Sequence, residues 1–445
     1  MRRSRKGPLW RSRDVWAISL SACFADLGYQ SVLAGFPLFL IVVLRQSVWE
    51  FGLASALSYG GGAAFSYLGG RLGSRVGHRR LALVGNAFIP LLSLAGLVAS
   101  PAAAIGLLTG GWWARNLRTP SRRVMLVEAV PDEASRSSAF GFLHALDVGG
   151  GALAGAYVLV TVVYHVEFRW IFLGTLLPLA ISTLCLSLAR TGMGAPAGKL
   201  GRVPAPGTSA SGEVPRVPAQ APQPAEASVG EAGPPAAPLQ LPGAGALLAA
   251  AALYGFTSYS VGFPVLTVAQ GGRRLAYGVG AFLVFQAVSA VTGYVLGGRL
   301  GKGLPSQFTS LGLLGYLAAG LGAVMLAAGY ESGAGAPELL VGVGVLGFAL
   351  GVVETLEPTL MAVLRPGRAA GRGFGALSAA RSVGLFVGNL ALGLLYGLGP
   401  TWSYTYAAVV AGAAAAVVLS ALPSARLAAS RMQEGSLLPV GKGRQ

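Results

Sequence analysis

The chain has 445 residues, of which 53% are hydrophobic and 11% are charged, and its mean hydropathy is +0.63. A composition this apolar excludes an ordinary water-soluble domain and is typical of a protein whose main solvent is the lipid bilayer. The formal net charge of +17 could indicate nucleic-acid binding, but the basic residues cluster on one side of the apolar segments, as in a membrane protein.

Apolar segments long enough to cross a bilayer recur along the chain with short connections. A hydrocarbon core of about 30 Å needs roughly 20 apolar residues in a helix. Twelve segments meet this length, six on each side of a polar insert. The predicted spans are 15–43, 48–70, 81–100, 102–128, 137–164 and 167–189, then 243–269, 275–298, 307–329, 336–364, 373–398 and 402–422. The sequence predicts an all-α membrane protein with twelve transmembrane helices.

The Lys and Arg residues divide unequally between the two ends of these spans. Twelve spans place both termini on one side, and that side holds 26 of the 33 basic residues. The loops of the other side hold four, Arg45, Arg169, Arg273 and Arg274. The positive-inside rule therefore predicts a multi-pass protein of the cytoplasmic (inner) membrane with both termini in the cytoplasm, and it argues against nucleic acid as a partner.

The N-terminus allows one other interpretation. Its basic residues, a short apolar run and Cys23 could form a lipoprotein signal, but the apolar run continues to Leu44, whereas the core of a signal is short. Cys23 and Cys185 are the two cysteines, and both lie within apolar spans. They predict neither a disulfide framework nor a metal site.

The polar insert between Arg190 and Gly243 has eleven prolines and almost no aromatic residues. Such a segment cannot bury enough apolar surface to fold, so it predicts a disordered cytoplasmic linker. The predicted organisation is a basic tail over 1–14, a six-helix half over 15–190, the linker over 191–242, a second half over 243–422 and a cytoplasmic tail over 423–445.

The two halves share sequence. The hexapeptide "LGGRLG" occurs at 68–73 and again at 296–301, and a second pair of segments aligns Pro131 with Pro366 and Phe140 with Phe374. One fold used twice, with a central cytoplasmic loop, is the plan of carriers that hold a substrate at the midplane between two halves.

The segment "GRLGSRVGHRR" at 70–80 resembles the loop motif between helices two and three of the major facilitator superfamily. The matching positions are Gly70, Arg71, Arg75, Gly77, Arg79 and Arg80. The aspartate usual in this motif, which in the family helps to hold the cytoplasmic side closed, is Ser74 here.

The stretches "FADLGYQSVLAGFPLFL", "RNLRTPSRR", "AFGFLHALD" and "ETLEPTLMAVLRP" are similar to a bacterial, drug-efflux-like permease branch of that superfamily. This resemblance implies two pseudo-symmetric six-helix halves and secondary transport, but it names no substrate. In antiporters of the superfamily a proline commonly follows the second glycine of a pair such as Gly151 and Gly155. Ala156 stands there in this chain, which leaves the direction of transport open.

Charged residues near the membrane midplane are candidates for function. Span five starts near Ser137, so a rise of 1.5 Å per residue places Asp147 roughly 15 Å deep. His144 shares its helix face. The hairpin of spans four and five brings Asp147 level with the region between Arg118 and Arg122. In the second half the same construction brings Arg381 close to Glu354 and Glu357, with the signs of charge reversed.

Two interpretations of these pairs are open. They can be structural pairs that neutralise one another and fix helix packing, or they can form a gate or a proton relay. In a relay, His144 would carry protons because an unperturbed imidazole titrates near neutral pH. His144 can equally be a core residue that donates to a backbone carbonyl.

Asp26 is the candidate proton-coupling residue of span one. It lies roughly 18 Å from the start of the span, and no basic residue of its own half obviously pairs with it. A carboxylate of this kind can exchange a proton during transport, and in similar carriers an acid on helix one often does so. The alternative is a structural acid that is hydrogen-bonded to neighbours such as Tyr29.

The candidate substrate-binding residues come from spans one and seven, which correspond in the repeat. They are Tyr29, Gln30, Tyr254, Ser258 and Tyr259. Their rings, hydroxyls and amide suit an amphipathic substrate, and ordinary interhelical contacts are the alternative interpretation. Gly255 and Gly262 in span seven permit close helix approach.

An enzyme is not expected. Three histidines, no cysteine pair and no phosphate-binding Gly-Lys-Ser/Thr sequence leave no metal cage or nucleophile–base set, so no cofactor or metal is predicted. We expect a monomeric secondary active transporter in the lipid bilayer that moves a small amphipathic molecule by alternating access, as proton-coupled export. The alternatives are an uptake symporter or uniporter, or a non-transporting membrane sensor or scaffold.

Overall fold

A computed structural model describes residues 12–130, 133–191, 243–257, 260–269, 274–296, 303–364 and 369–437. Within these ranges the chain is helical and contains no strand. Almost all of the predicted linker and most of the predicted N-terminal tail lie outside the described ranges.

In the described part of the first half, the structure has seven α-helices. They are α1 (Arg13–Leu38), α2 (Val48–Val76), α3 (His78–Phe88), α4 (Pro101–Ala129), α5 (Glu133–Val163), α6 (Phe168–Gly174) and α7 (Leu176–Leu188). A π-helical segment, Phe39–Val43, extends α1, and a 3₁₀ segment, Ile89–Leu97, extends α3. Because α6 and α7 follow one another at Thr175, these helices and their extensions form six long helical segments.

The second half repeats the pattern, with nine α-helices among its described residues. They are α8 (Ala244–Thr257), α9 (Gly262–Ala269), α10 (Leu275–Leu296), α11 (Leu304–Ser310), α12 (Ala318–Glu331), α13 (Ala336–Leu364), α14 (Ala369–Leu398), α15 (Pro400–Ser420) and α16 (Leu422–Leu437). A π-helical segment, Leu311–Leu317, joins α11 to α12. Each of the twelve predicted spans coincides with one helix or with consecutive helices.

Among the described residues, ten of these helical segments are long and apolar enough to span a membrane. The other two, α2 and α4, have 29 residues each but are less apolar. Glycine and serine are frequent in α2, and α4 carries four arginines. Part of the surface of each helix packs against other helices, α2 against α4 and α14, and that part needs less hydrocarbon character than a surface that faces lipid.

Helical structure extends beyond two of the predicted spans. Helix α2 continues past the span 48–70 to Val76, and it stops at Gly77, whose φ of 96° a side chain would strain. The predicted cytoplasmic tail over 423–445 contains most of helix α16, Leu422–Leu437, which packs against α11. Hydropathy indicates which residues lie in the hydrocarbon core of the bilayer. The helix itself can continue beyond that core until a residue such as glycine ends it.

The two halves contact one another at the end opposite the termini. Phe51 of α2 meets Phe263 of α9 with ring centroids 5.2 Å apart. Close by, α2 and α14 approach through glycines, since a Cβ on Gly52 would lie 2.7 Å from Gly393 Cα. Gly155 of α5 packs against Leu283 of α10. These contacts close the molecule at that end.

Single-cysteine labelling tests the predicted topology. In a background without the two native cysteines, A334C lies in the turn between α12 and α13, and A197C lies in the predicted linker. We expect a membrane-impermeant thiol reagent, added outside cells, to label A334C and to leave A197C unlabelled until the membrane is opened. Labelling of both from the same side would contradict twelve crossings.

Candidate functional site

A cavity of about 300 Å³ lies between the two halves. The first half contributes Gln30, Leu33, Tyr59 and Trp112. The second half contributes Tyr254, Thr257, Ser260, Val261, Phe282, Phe285, Gln286, Ala319, Leu346, Leu350, Glu354, Arg381, Leu385 and Ala407. The walls are mainly aromatic and aliphatic, with two amides and one acid–base pair, which is the composition of a small-molecule site.

The cavity contains some of the predicted substrate-binding residues and not others. Gln30 and Tyr254 line it. Tyr29 is fully buried outside it. Ser258 and Tyr259 lie outside the described residues.

Trp112, Tyr59 and Gln286 line the cavity and were not predicted from the sequence. Of these three residues, Trp112 had a signal in the sequence. It lies three residues before Arg115 and therefore on the side of α4 that carries the arginines.

Arg381 is the centre of the charge cluster of the second half. Its guanidinium donates to Glu354 and, at 2.7 Å, to Glu357. Glu357 is 1% exposed and also accepts a hydrogen bond from the Tyr316 hydroxyl at 2.7 Å. The Glu354 side chain is 54% exposed and faces the cavity. One cation therefore serves two carboxylates, and both predicted contacts of Arg381 are present.

Close helix packing positions this cluster. A Cβ on Gly384 of α14 would lie 2.8 Å from Gly255 Cα of α8, so both positions need glycine at the crossing. The crossing places the Arg381 guanidinium 5.8 Å from the centre of the Tyr254 ring, a cation–π distance. The predicted role of Gly255 in close approach is present in the structure.

Asp147 and Arg122 form the corresponding pair of the first half, with nitrogen and oxygen 3.2 Å apart. The Arg122 side chain is 5% exposed and that of Asp147 is 24% exposed. Arg118, the other expected partner, points elsewhere: it is fully buried and donates to Asn86 of α3. The two arginines lie on the same side of α4, one turn apart, but the helix that each one meets differs: Arg118 reaches Asn86 of α3 and Arg122 reaches Asp147 of α5.

Asp26 is buried, with 7% exposure, and it accepts a hydrogen bond from the Tyr29 hydroxyl at 2.6 Å. Arg115 of α4 donates to the same hydroxyl at 3.2 Å, and its guanidinium stacks over the rings of Tyr29 and Trp112. Asp26 thus forms no ion pair with a described residue, but Arg115 lies near it through the shared Tyr29 hydroxyl. Sequence spacing missed Arg115, although Arg115, Arg118 and Arg122 follow the i, i+3, i+7 pattern of one helix side.

The two charge pairs occupy equivalent positions of the repeat. The alignment that matches Phe140 with Phe374 also matches Asp147 with Arg381 and Gly150 with Gly384. Gly150 packs directly against the α1 backbone at Cys23, and a Cβ on it would lie 3.0 Å from Asp26 Cβ. In both halves, one turn after the charged residue, a glycine brings the fifth helix onto the first. The same arrangement of a charged residue and a glycine therefore occurs in both halves, with the charges reversed.

The remaining predicted residues have separate places. The His144 side chain lies outside the described residues. Arg79 donates to the carbonyls of Ser187 and Ala189, which ties the start of α3 to the end of α7. Ser74 donates to the Arg71 carbonyl of its own helix. Where the similar loop motif has an aspartate, this chain thus has a hydroxyl that bonds within its own helix. No cluster of metal ligands occurs among the described residues.

Replacing Asp147 with asparagine is expected to lower the yield and melting temperature of the folded protein. It would leave the buried Arg122 without its carboxylate, and breaking a buried pair costs about 3–5 kcal/mol. Size-exclusion yield and thermal melting measure the effect. Glu167→Gln is the matched control, because the Glu167–Arg169 pair is 64% and 54% exposed and such pairs contribute little. Equal melting of Asp147→Asn and the parent would contradict the pairing.

Comparison with known proteins gives a family model and a set of solved structures. The model of the Major Facilitator Superfamily matches residues 18–336. No curated protein sequence matches the chain. A D-xylose–proton symporter superposes with a TM-score of 0.68 at 13% identity, over 93% of this chain and 99% of that one.

Two further solved structures illustrate the same likeness. A peptide transporter of the POT type in complex with sulfate gives a TM-score of 0.66 at 15% identity, over 96% of each chain. A bacterial homologue of the human lysosomal transporter Spinster, described as inward-facing and unoccupied, gives 0.60 at 13% identity, over 96% and 98%. At these identities the likeness shows a shared fold.

Proposed function

The chain belongs to the major facilitator superfamily, and from that premise we propose that it exports a small amphipathic molecule in exchange for protons. A membrane transporter with this fold works by alternating access between two halves. The observation that carries the proposal is the cavity between the halves, whose aromatic walls surround the Glu354–Arg381 pair. Rings suit the apolar part of a substrate and the charged pair suits a polar part.

The state of the molecule supports a loading site that faces the side of the termini. The contacts of Phe51 with Phe263 and of Gly52 with Gly393 close the opposite end. Nearer to the termini, the side chains of Glu354 and Asp147 keep 54% and 24% exposure. With both termini in the cytoplasm of an inner-membrane protein, this is an inward-facing state that collects its substrate from the cytoplasm.

Asp26 is the proposed proton-coupling residue. It is a buried carboxylate whose hydrogen-bond partner Tyr29 packs edge to face against Trp112, with ring centroids 5.6 Å apart. Trp112 lines the cavity. A change in the charge of Asp26 can therefore affect a substrate in the cavity through the contact between the Tyr29 and Trp112 rings. His144 and Asp147 are the alternative proton carriers, and the Arg122–Asp147 and Glu357–Arg381 pairs serve as the gate.

Uptake by proton symport is the second candidate function. Ala156 at the place of the antiporter proline favours it, and one protein of similar fold is a proton symporter by name. A non-transporting sensor or scaffold is the other alternative, and it would not exchange protons for a substrate.

The test begins with a screen of small amphipathic compounds for thermal stabilisation of the purified protein. Each hit is then placed in proteoliposomes under an imposed pH gradient. Export by exchange predicts movement of the compound against the proton flow, whereas symport predicts movement with it. If no stabilising compound moves under either gradient, the protein is not a proton-coupled carrier of that class.

A further inference from the structure

A second cavity lies on the outer surface of the first half, where α2 and α4 run side by side at the end opposite the termini. Its volume is about 620 Å³, which is within the range of ligand-binding clefts. It is separate from the central cavity, because Trp113 lines this groove while its neighbour Trp112 lines the other.

The walls of the groove are apolar. Leu53 and Leu57 of α2 and Ile105 of α4 line it. Trp113 lies at the deep end and donates its indole N–H to the Leu57 carbonyl at 2.9 Å. From Pro101 to Trp113 the groove follows α4 for roughly 18 Å at 1.5 Å per residue, more than half of a hydrocarbon core of about 30 Å. This shape suits a hydrocarbon chain that lies parallel to the helices.

Two residues of α4 that line the groove, Gly106 and Gly110, carry no side chain. A Cβ on Gly106 would meet no atom within 4 Å, and one on Gly110 would meet only Leu91 Cδ1, at 3.8 Å. There is therefore open space beside both positions for an occupant or for the first atom of a larger side chain.

The mouth of the groove carries a negative charge. Glu50, in the first turn of α2, accepts a hydrogen bond from Ser47 and forms no ion pair with any described residue. Beside it, α4 begins at Pro101 after Ser100. Pro101 has no N–H and the Ala103 N–H donates to Ser100 Oγ at 3.4 Å, so the start of α4 is already capped. The mouth thus presents one charged group, a carboxylate that suits an ammonium group.

We propose that this groove binds one phospholipid with an ethanolamine head group from the leaflet opposite the termini. One acyl chain lies between α2 and α4, and the ammonium group donates to Glu50. The bilayer supplies the occupant, because the groove is on the outer surface of membrane-spanning helices. Trp49 lines the mouth and is 42% exposed, as is usual for tryptophan at a membrane interface.

Retention of defined lipids by the purified full-length protein tests the proposal. Native mass spectrometry is carried out with equal amounts of dioleoyl phosphatidylethanolamine, phosphatidylcholine and phosphatidylglycerol. A quaternary choline cannot donate a hydrogen bond to Glu50, so we expect about tenfold preference for phosphatidylethanolamine over phosphatidylcholine, since a hydrogen bond to a charged group contributes about 1.5–3 kcal/mol. Glu50→Gln should remove this preference.

The second part of the experiment fills the groove with a side chain. Gly106→Leu and Gly110→Leu should reduce retention of all three lipids. Gly412→Leu is the matched control, because a side chain there also meets nothing within 4 Å but lies on α15, and it should retain lipid as the parent does.

Equal retention of the three lipids by the parent would overturn the proposal. So would a phosphatidylethanolamine preference that survives both Glu50→Gln and Gly106→Leu. If Gly106→Leu slowed substrate transport while leaving lipid retention unchanged, the groove would be a path for substrate, and the assignment to lipid would be wrong. None of these outcomes depends on the direction of transport.

Discussion

Replacing Asp26 with asparagine is expected to abolish transport driven by a pH gradient, down to the level of liposomes without protein. Asparagine cannot take up and release a proton, yet its amide oxygen can still accept the hydrogen bond that Tyr29 donates at 2.6 Å. The packing of α1 against α5 at Gly150 does not involve the carboxylate oxygens. The fold, substrate binding and exchange of substrate for substrate should therefore persist.

Three measurements on the same preparation separate coupling from folding. Thermal melting reports the fold, thermal stabilisation by substrate reports binding, and proteoliposome flux reports coupling. Glu128→Gln is a matched control because Glu128 is an exposed acid near the end of α4, and it should transport as the parent does. If Asp26→Asn moves substrate like the parent under a proton gradient, coupling belongs to His144 and Asp147 instead.

Reversing the charge of Arg381 is expected to cause the largest loss of stability. Arg381→Glu would place a third carboxylate beside Glu354 and the buried Glu357. Breaking a buried pair costs about 3–5 kcal/mol, a large share of the 5–15 kcal/mol that stabilises a typical domain. The single variant should yield little folded protein by size-exclusion chromatography.

A second substitution should recover part of this loss. In the double variant Arg381→Glu with Glu357→Arg, the cation again lies between two carboxylates, so it should give more folded protein than either single variant. Recovery should be incomplete, because Tyr316 loses its acceptor. Arg381→Glu with Glu331→Arg has the same net charge, but Glu331 lies at the end of α12, so it should rescue nothing. A swap at Glu357 that does no better than the single variants would exclude direct pairing as the source of stability.

The charge pairs show which contacts between helices can be predicted from the sequence and which cannot. Asp147 and Arg381 were placed opposite their partners by counting residues from two hairpin turns, and the structure has the Arg122–Asp147 and Arg381–Glu357 contacts. The count succeeds because the rise per residue is fixed and a short turn sets the register of adjacent helices. It fails for Arg118, because depth alone does not say which neighbouring helix a side chain meets.

The sequence by itself determined the helical membrane architecture, the repeat and the register of the Arg122–Asp147 and Arg381–Glu357 pairs. Hydropathy, helix length and charge asymmetry are local properties that need no knowledge of packing. It could not give the contact of Arg115 with Tyr29, the walls of the cavity, or helix α16.

Only the tertiary structure decided those features, because they depend on helices distant in sequence. Arg115 reaches Tyr29 from α4, and Trp112 faces the second half across the cavity. The close crossings at Gly150 and Gly384 set the rotation of α5 and α14 against α1 and α8. A backbone contact through glycine fixes which side of a helix points inward, and that direction decides which residues form the site.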